Sequence, residues 1–289
     1  MKLKGILLTI LPTALDPDFY SRWDLLGKVY FDNDKLAPED IEAVVTDHHT
    51  LIDNAFVRRF PNLKYVVSPN TGHTHLTFHD KDIKLITLRN EIMFLRGIRS
   101  VSEFTILSML KLARESNDPK LLCRKQLGIV GLGRIGSQVY QLAKAFGMNV
   151  VYNDKTPKFG MMGFVNVIDL MRESDFVSIH IPESRENNGY ISKSLIHFMK
   201  ESAFFINTAR ASVVNNEALF DAYDDGRIAG IASDVNWDMR DGYPLETRKK
   251  SLILTPHIAG CTYEDRVATD RFVLGKLAKE LNLPLDNIP

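Results

Sequence analysis

Two cysteines in 289 residues, Cys123 and Cys261, are too few for a disulfide framework; they read as small core residues and fit a reducing cytosol. Neither charge sign is in excess. The 36 Lys and Arg balance 36 Asp and Glu, so no global field recruits nucleic acid or an anionic membrane. Long apolar runs are missing too. The run Gly5 to Leu11 behind Met1-Lys2-Leu3-Lys4 is short, is stopped by Pro12 and precedes no small-x-small cleavage site, so it reads as a buried strand rather than a signal peptide. No later stretch approaches the roughly 20 apolar residues of a membrane span, and no internal repeat or low-complexity segment is present. What remains is a globular composition, 45% hydrophobic and 25% charged, long enough for two ordinary domains.

The most informative segment is Gly131-Leu132-Gly133-Arg134-Ile135-Gly136. Leu127 to Val130 reads as a buried strand before it, and Ile135, Val139, Leu142, Ala143 and Phe146 fall at helical spacing after it. The glycines therefore sit where a strand turns into a helix. Gly131 permits the tight turn, Gly133 lets a pyrophosphate approach the backbone, and Gly136 lets helix and strand pack closely. The N–H groups at the helix start face the anion. Asp154, at the end of the next strand, is near the offset of about 20 residues at which an acid meets the adenosine ribose. A carboxylate there favours NAD over NADP; Lys155 beside it weakens the discrimination. A glycine turn without a ligand is the plainer alternative for the motif alone.

Short apolar runs alternate with helical stretches along the whole chain. Strands are expected at Gly5–Leu11, Lys28–Phe31, Ala43–Thr46, Tyr65–Ser68 and Lys84–Thr87, with helices or turns near Pro17–Leu26, Pro38–Ile41 and Asp53–Phe60. A longer helix spans about Ser100 to Arg114. Later helices are expected at Phe164–Glu173, Ser192–Met199, Asn215–Tyr223 and Glu264–Asn282. Later strands are expected at Asn149–Tyr152, Phe176–His180, Ala203–Ile206, Ile228–Ala232 and Leu252–Leu254. The alternation implies parallel sheets covered by helices, with ligands at the carboxyl ends of the strands. The final helix returns to the first lobe, which makes that lobe discontinuous and puts a cleft between two lobes.

Three segments follow strands of the second lobe. Asn207-Thr208-Ala209-Arg210 offers a guanidinium, which grips a carboxylate by two parallel hydrogen bonds. Ser233-Asp234-Val235 places an acid at a strand tip. Thr255-Pro256-His257-Ile258-Ala259-Gly260 presents an imidazole, whose pKa of about 6.5 suits proton transfer near neutrality. Singly, each has an ordinary explanation: Arg210 as a surface ion-pair partner, Asp234 as a loop cap, His257 as a hydrogen-bonded turn residue. Their joint placement beside a dinucleotide fold is harder to credit to chance.

On these segments the chain resembles the NAD-dependent D-isomer-specific 2-hydroxyacid dehydrogenases over nearly its whole length. Ser174 to Pro182 is similar to the family's strand beneath the adenine and ribose. Asn207 to Arg210, with Val213, Val214 and Glu217 to Leu219, is similar to its arginine signature, and Thr255 to Gly260 to its histidine signature. Leu63 to Val67 with Asn70-Thr71-Gly72 looks like the loop whose amides bind the substrate carboxylate, and Leu88 to Thr105 is most like the phosphoglycerate-dehydrogenase-like branch. The resemblance implies two Rossmann-like or flavodoxin-like lobes: a substrate domain of residues 1–96 and 262–289, and an NAD-binding domain of residues 97–261. It implies hydride transfer between NAD and a small 2-keto or D-2-hydroxy acid, by a homodimer paired through the long helix; the cysteine usage points to a cytoplasmic location. Arg210 would clamp the carboxylate and His257 would protonate the keto oxygen. Gly131, Gly133, Arg134, Ile135, Gly136, Asp154, His180, Pro182, Thr208, Ala209, Asp234, His257 and Gly260 would line the cofactor. Asn70, Thr71, Gly72, His49 and Arg210 would meet the substrate.

One departure stands out. Where the family carries a glutamate that pairs with the catalytic histidine, this chain has Met239, or Tyr243 if a gap is allowed. Asp238, Asp241 and Glu246 are nearby substitutes, Asp238 first among them. Without an acid the pKa of His257 is lower and its tautomer less fixed, which opens a second reading: an NAD(H)-binding scaffold or redox sensor with weakened catalysis. Five of the eight histidines, His48, His49, His73, His75 and His79, lie in the first lobe. His73 and His75 alternate as zinc ligands on one strand face would, but lack adjacent cysteine or carboxylate partners. The resemblance puts His49 and His73 near the substrate mouth instead.

Overall fold

The computed structural model describes residues 2–9, 18–31, 35–80, 82–116, 118–235 and 251–284. The chain divides into two compact units, Met1–Ile98 with Thr262–Pro289, and Arg99–Cys261.

The first unit begins with β1 (Leu3–Leu8), α1 (Phe19–Asp24), β2 (Gly27–Phe31), a 3-10 turn (Pro38–Asp40), β3 (Ala43–Val45), α2 (Asn54–Val57), β4 (Tyr65–Ser68), β5 (Lys84–Thr87) and α3 (Ile92–Leu95). All strands are parallel, in the order β2-β1-β3-β4-β5. With apolar cores on both faces, successive residues of one strand go to opposite sides and the strands read as unbroken apolar runs. Leu7, Val44 and Val66 pack with Ile52, Phe60 and Leu63. Ile6, Leu8, Val45, Val67 and Ile86 pack with Trp23 on the other face.

The second unit runs α4 (Ser100–Glu115), β6 (Gln126–Val130), α5 (Arg134–Ala145), β7 (Asn149–Asn153), α6 (Val167–Glu173), β8 (Phe176–Ile179), α7 (Lys193–His197), β9 (Phe204–Asn207), α8 (Asn216–Asp224), β10 (Gly230–Ser233) and β11 (Leu252–Leu254). Its parallel sheet is ordered β11-β10-β9-β8-β6-β7. The chain moves outward from β6 to β7, then returns past β6 to β8, so the switch point lies between β6 and β8, where open sheets of this kind bind ligands. Ile106, Met109 and Leu112 of α4 and Val139 of α5 cover Leu127, Ile129 and Phe204. Leu170, Ile196 and Leu219 of α6, α7 and α8 cover Val177, Ile179 and Phe205 on the opposite face.

The last helix, α9 (Tyr263–Glu280), adds Val273, Leu274, Leu277 and Ala278 to the first unit's core. A buried polar tie fixes it: the Trp23 indole N–H donates to Asp270 Oδ1 at 2.9 Å, with the Arg22 guanidinium 3.6 Å from the same carboxylate.

Boundaries differ from the sequence expectation where side chains intervene. The helix expected from Phe164 starts at Val167, because the Asn166 side chain accepts the Asp169 N–H and caps it, while Phe164 pairs with Tyr152 in a parallel bridge. The first strand ends at Leu8 rather than Leu11. Among the described residues no helix is long and apolar enough to cross a membrane.

Candidate functional site

The glycine turn leaves β6 at the switch point. Gly131 has φ +93°, a conformation that costs most side chains about 1 kcal/mol or more. A Cβ on it would also strike the His180 main chain and Ile181 Cγ2, which come off β8 and lie against it. A Cβ on Gly136 would collide with the Gly131 carbonyl, so helix and strand meet there at glycine distance. Gly133 is different: it is exposed, and a Cβ on it would meet nothing within 4 Å. An open, side-chain-free position immediately before α5 is the shape a diphosphate requires. A helix leaves the N–H groups of its first turn, here Arg134, Ile135 and Gly136, without intrahelical acceptors. The residues present therefore fit a dinucleotide.

Asp154 follows β7. Its Oδ2 accepts the Leu132 N–H at 2.8 Å, inside the glycine turn, and its Oδ1 accepts the Lys155 N–H at 2.7 Å and meets Lys158 Nζ at 3.0 Å. Burial pushes its carboxyl pKa upward, but the Lys158 ammonium and the two N–H donors outweigh that and hold it below the usual range. His180 contributes no charge near neutrality. Burial drops its pKa to about 3, and its Nε2 lies 2.8 Å from Ser178 Oγ. The next turn is closed by Asn187 Nδ2, which donates to the Pro182 carbonyl at 2.8 Å.

The arginine and histidine segments leave the neighbouring strands β9, β10 and β11 at the same carboxyl edge. Asn207, fully buried at the end of β9, clamps its own turn: Oδ1 accepts the Ala209 N–H at 3.0 Å and Nδ2 donates to the Arg210 carbonyl at 2.9 Å. Arg210 itself is half-buried, with Nη1 donating to the Ala209 carbonyl at 2.7 Å. Thr208 is turned inward, its hydroxyl 3.1 Å from that of Thr105 on α4, so what it offers a ligand is its main chain. Asp234, 1% exposed at the end of β10, spends its carboxylate on the histidine segment. Oδ1 accepts from Thr255 Oγ1 at 2.6 Å and the Ile258 N–H at 2.8 Å, and Oδ2 accepts the Ala259 N–H at 2.8 Å. These are the contacts of a loop cap, the ordinary explanation open to Asp234 from the sequence. His257 sits at the crest of that loop with φ +57°, a left-handed conformation that histidine adopts more readily than most residues. Gly260 beyond it is exposed.

Within the first unit, the segments after β3 and β4 are neighbours because those strands pair. His49 is exposed, its N–H held by Asp47 Oδ1 at 2.9 Å, and the rings of His48 and His49 lie 3.9 Å apart. Asn70 donates to Ser68 Oγ at 3.3 Å, and Thr71 and Gly72 follow on the surface. His73 and His75 do not converge on a common ligand: His73 Nε2 meets Arg89 Nη1 at 2.9 Å, while buried His75 Nε2 lies 3.4 Å from Ser68 Oγ. Among the described residues no group of three or more His, Cys, Asp or Glu is arranged to hold a metal ion.

Asp238, Met239 and Tyr243 lie outside the described residues, as do Asp241 and Glu246. Sequence inspection gave no role to Asn207, Thr255, Lys158 or Arg89. Asn207 clamps a turn two and three residues ahead of it, Thr255 finds its partner Asp234 across 21 residues, and Lys158 left a local trace, four residues after Asp154.

Residues 92–259 match the family model described as D-isomer specific 2-hydroxyacid dehydrogenase, NAD binding domain. A glyoxylate reductase of Thermococcus litoralis is 30% identical over 281 residues, covering 87% of this chain and 81% of that protein. A glyoxylate reductase of Aeropyrum pernix is 39% identical over 150 residues, 50% of this chain and 44% of that protein, so the match spans less than half of that relative. The crystal structure of a D-lactate dehydrogenase from Aquifex aeolicus, complexed with NAD and lactic acid, superposes with a TM-score of 0.78 at 25% identity, over 96% of this chain and 95% of that one. With the glycine turn, its acid and the doubly wound sheet in place, the chain belongs to the D-isomer-specific 2-hydroxyacid dehydrogenase family and carries that family's NAD-binding domain.

Proposed function

We propose that the protein is an NAD-dependent oxidoreductase that interconverts a small 2-keto acid and its D-2-hydroxy acid. The observation that carries this is the pair of buried clamps, Asn207 on the Arg210 turn and Asp234 on the His257 loop, at the edge of the sheet that also bears the glycine turn. When bound, NADH supplies the hydride that ends on C2 of the keto acid. Arg210 holds the substrate carboxylate by two parallel hydrogen bonds, and its positive charge polarises the keto oxygen. His257 gives that oxygen a proton as its negative charge develops, and takes it back in the oxidative direction. Asp238 supports the imidazolium in place of the family's glutamate.

Residues 1–96 and 262–289 serve as the substrate domain, with Asn70, Thr71, Gly72 and His49 as its substrate-side residues; residues 97–261 bind NAD. Relatives named glyoxylate reductase support a keto acid of small size. The balanced charge supports a partner set without nucleic acid or membrane, and the two free cysteines support a cytoplasmic site. The assembly is a homodimer through α4, whose exposed side carries Leu107 between Glu103 and Lys111. Sedimentation equilibrium of the wild type and Leu107→Glu checks this; a wild-type mass of one chain refutes it.

The test of function is NADH oxidation against a panel of 2-keto acids beginning with glyoxylate, run with Arg210→Ala and His257→Ala beside a fluorescence titration of NADH. Turnover that both substitutions abolish is expected. Turnover indifferent to either overturns the mechanism, and NADH binding without turnover on any acid selects the scaffold reading that Met239 suggests.

A further inference from the structure

The acid at the adenosine end of the cofactor site is already crowded. A carboxylate offers about four acceptor directions, and three on Asp154 are taken, by Leu132 N–H, Lys155 N–H and Lys158 Nζ. Two of these donors are main-chain groups fixed by the fold. The third, the Lys158 ammonium, is the one that can leave. Its placement is built in: the Lys158 N–H donates to Tyr152 Oη at 2.8 Å, and Tyr152 is fully buried. Lys155, by contrast, sends its own Nζ away to Glu186 at 3.0 Å, both side chains being well exposed.

We propose that Lys158 is a specificity-determining residue that opens the adenosine site to a 2′-phosphorylated dinucleotide alongside NAD; the inference rests on the NAD-binding assignment above. A free carboxylate selects NAD in two ways. It accepts both ribose hydroxyls, and it repels a 2′-phosphate. Lys158 weakens each. With two donors on Oδ1, only Oδ2 has room, so Asp154 receives one hydroxyl unless the ammonium moves. A phosphate approaching it meets an ion pair rather than a bare anion. The ammonium has three donors on a flexible four-carbon stem, so it keeps one on Asp154 while giving another to the phosphate.

The test is binding of NADH and NADPH to the full-length protein by nicotinamide fluorescence at fixed ionic strength, with kcat/KM for each cofactor as a second readout. Wild type is expected to bind the two within about tenfold of each other. Lys158→Gln is expected to weaken NADPH by about tenfold, the worth of a hydrogen bond to a charged group, while NADH holds or tightens. Lys158→Arg restores NADPH binding, and Lys155→Gln leaves the ratio within about twofold, as an exposed pair should. Wild type that binds NADH alone overturns the proposal and leaves the NAD assignment standing, as does a Lys158→Gln variant that weakens both cofactors equally. Wild type that binds neither removes both.

Discussion

The Asp234 N–H donates to the Asn207 carbonyl at 3.0 Å, and through that bond the turn carrying Arg210 is joined to the loop carrying His257. From Arg210 the path runs through the Asn207 amide, across to the Asp234 main chain, and out through its carboxylate to residues 255, 258 and 259. Both side chains are buried, so each bond lost leaves a donor or acceptor without water, at about 1–3 kcal/mol apiece.

Asn207→Ala should therefore lower stability by about 1–3 kcal/mol. It should also reduce kcat/KM for the keto acid by roughly 10- to 100-fold, as a misplaced substrate-positioning group does. Affinity for NADH should change little. Urea unfolding, steady-state kinetics and fluorescence titration separate the three; an unchanged KM and kcat at reduced stability would leave Asn207 a purely structural residue.

Asp234→Asn keeps the shape but turns one acceptor into a donor facing donors. The histidine loop should loosen, with kcat falling roughly 10-fold or more and the pH–rate profile shifting as the His257 environment changes. Unchanged NADH affinity assigns Asp234 to the loop; affinity lost in proportion to kcat assigns it to the cofactor instead.

His257→Asn retains a residue that tolerates positive φ while removing the proton donor. Activity should fall on the order of 100- to 10,000-fold with little change in thermal midpoint. A large drop in the midpoint would mean that the imidazole holds the loop as well as serving it.

His180 sets a pH dependence. In the unfolded chain it takes up a proton near pH 6.5, whereas in the folded protein burial keeps it neutral until about pH 3. Between those values the unfolded state binds more protons, so the stability present above pH 6.5 drains away as pH falls toward 3. Urea midpoints at descending pH should decline more steeply for the wild type than for His180→Asn. Parallel declines would contradict a desolvated neutral imidazole.

Leu277→Ala on α9 should cost about 2–5 kcal/mol, because its side chain is fully buried in the core of a unit it joins from the far end of the chain. Trp23→Phe, which removes the indole N–H that donates to Asp270 Oδ1, should cost about 1–3 kcal/mol. Chemical denaturation checks both. A substitution at either site that left the unfolding midpoint unchanged would mean that α9 adds little to the first unit.

Much of the fold was legible because it depends on short-range rules. Apolar runs of three to seven residues between turn residues gave the strands, and glycines that only glycine can be, at Gly131 and Gly136, gave the nucleotide turn. Asn166 shows where this failed: its side chain capped α6 and moved the helix start past Phe164, a competition between side chain and backbone that periodicity does not register. Of the candidate site, the reactive pair Arg210 and His257 and the acid Asp234 could be picked out by chemistry and strand-end position, whereas Asn207 could be seen only as a member of a signature.

The order of residues by itself determined the alternation of strands and helices, the place of the glycine turn, and which side chains can carry charge or a proton. Only the tertiary structure decided that Asp234 serves the histidine loop and that Thr208 turns inward to Thr105. The physical reason is range. Backbone sterics and apolar periodicity act over a few residues, but Asp234 meets its three donors across 21 to 25 residues, and Thr208 meets Thr105 across 103. Which donor finds which acceptor over such spans is settled when the strands pair and their ends are brought side by side.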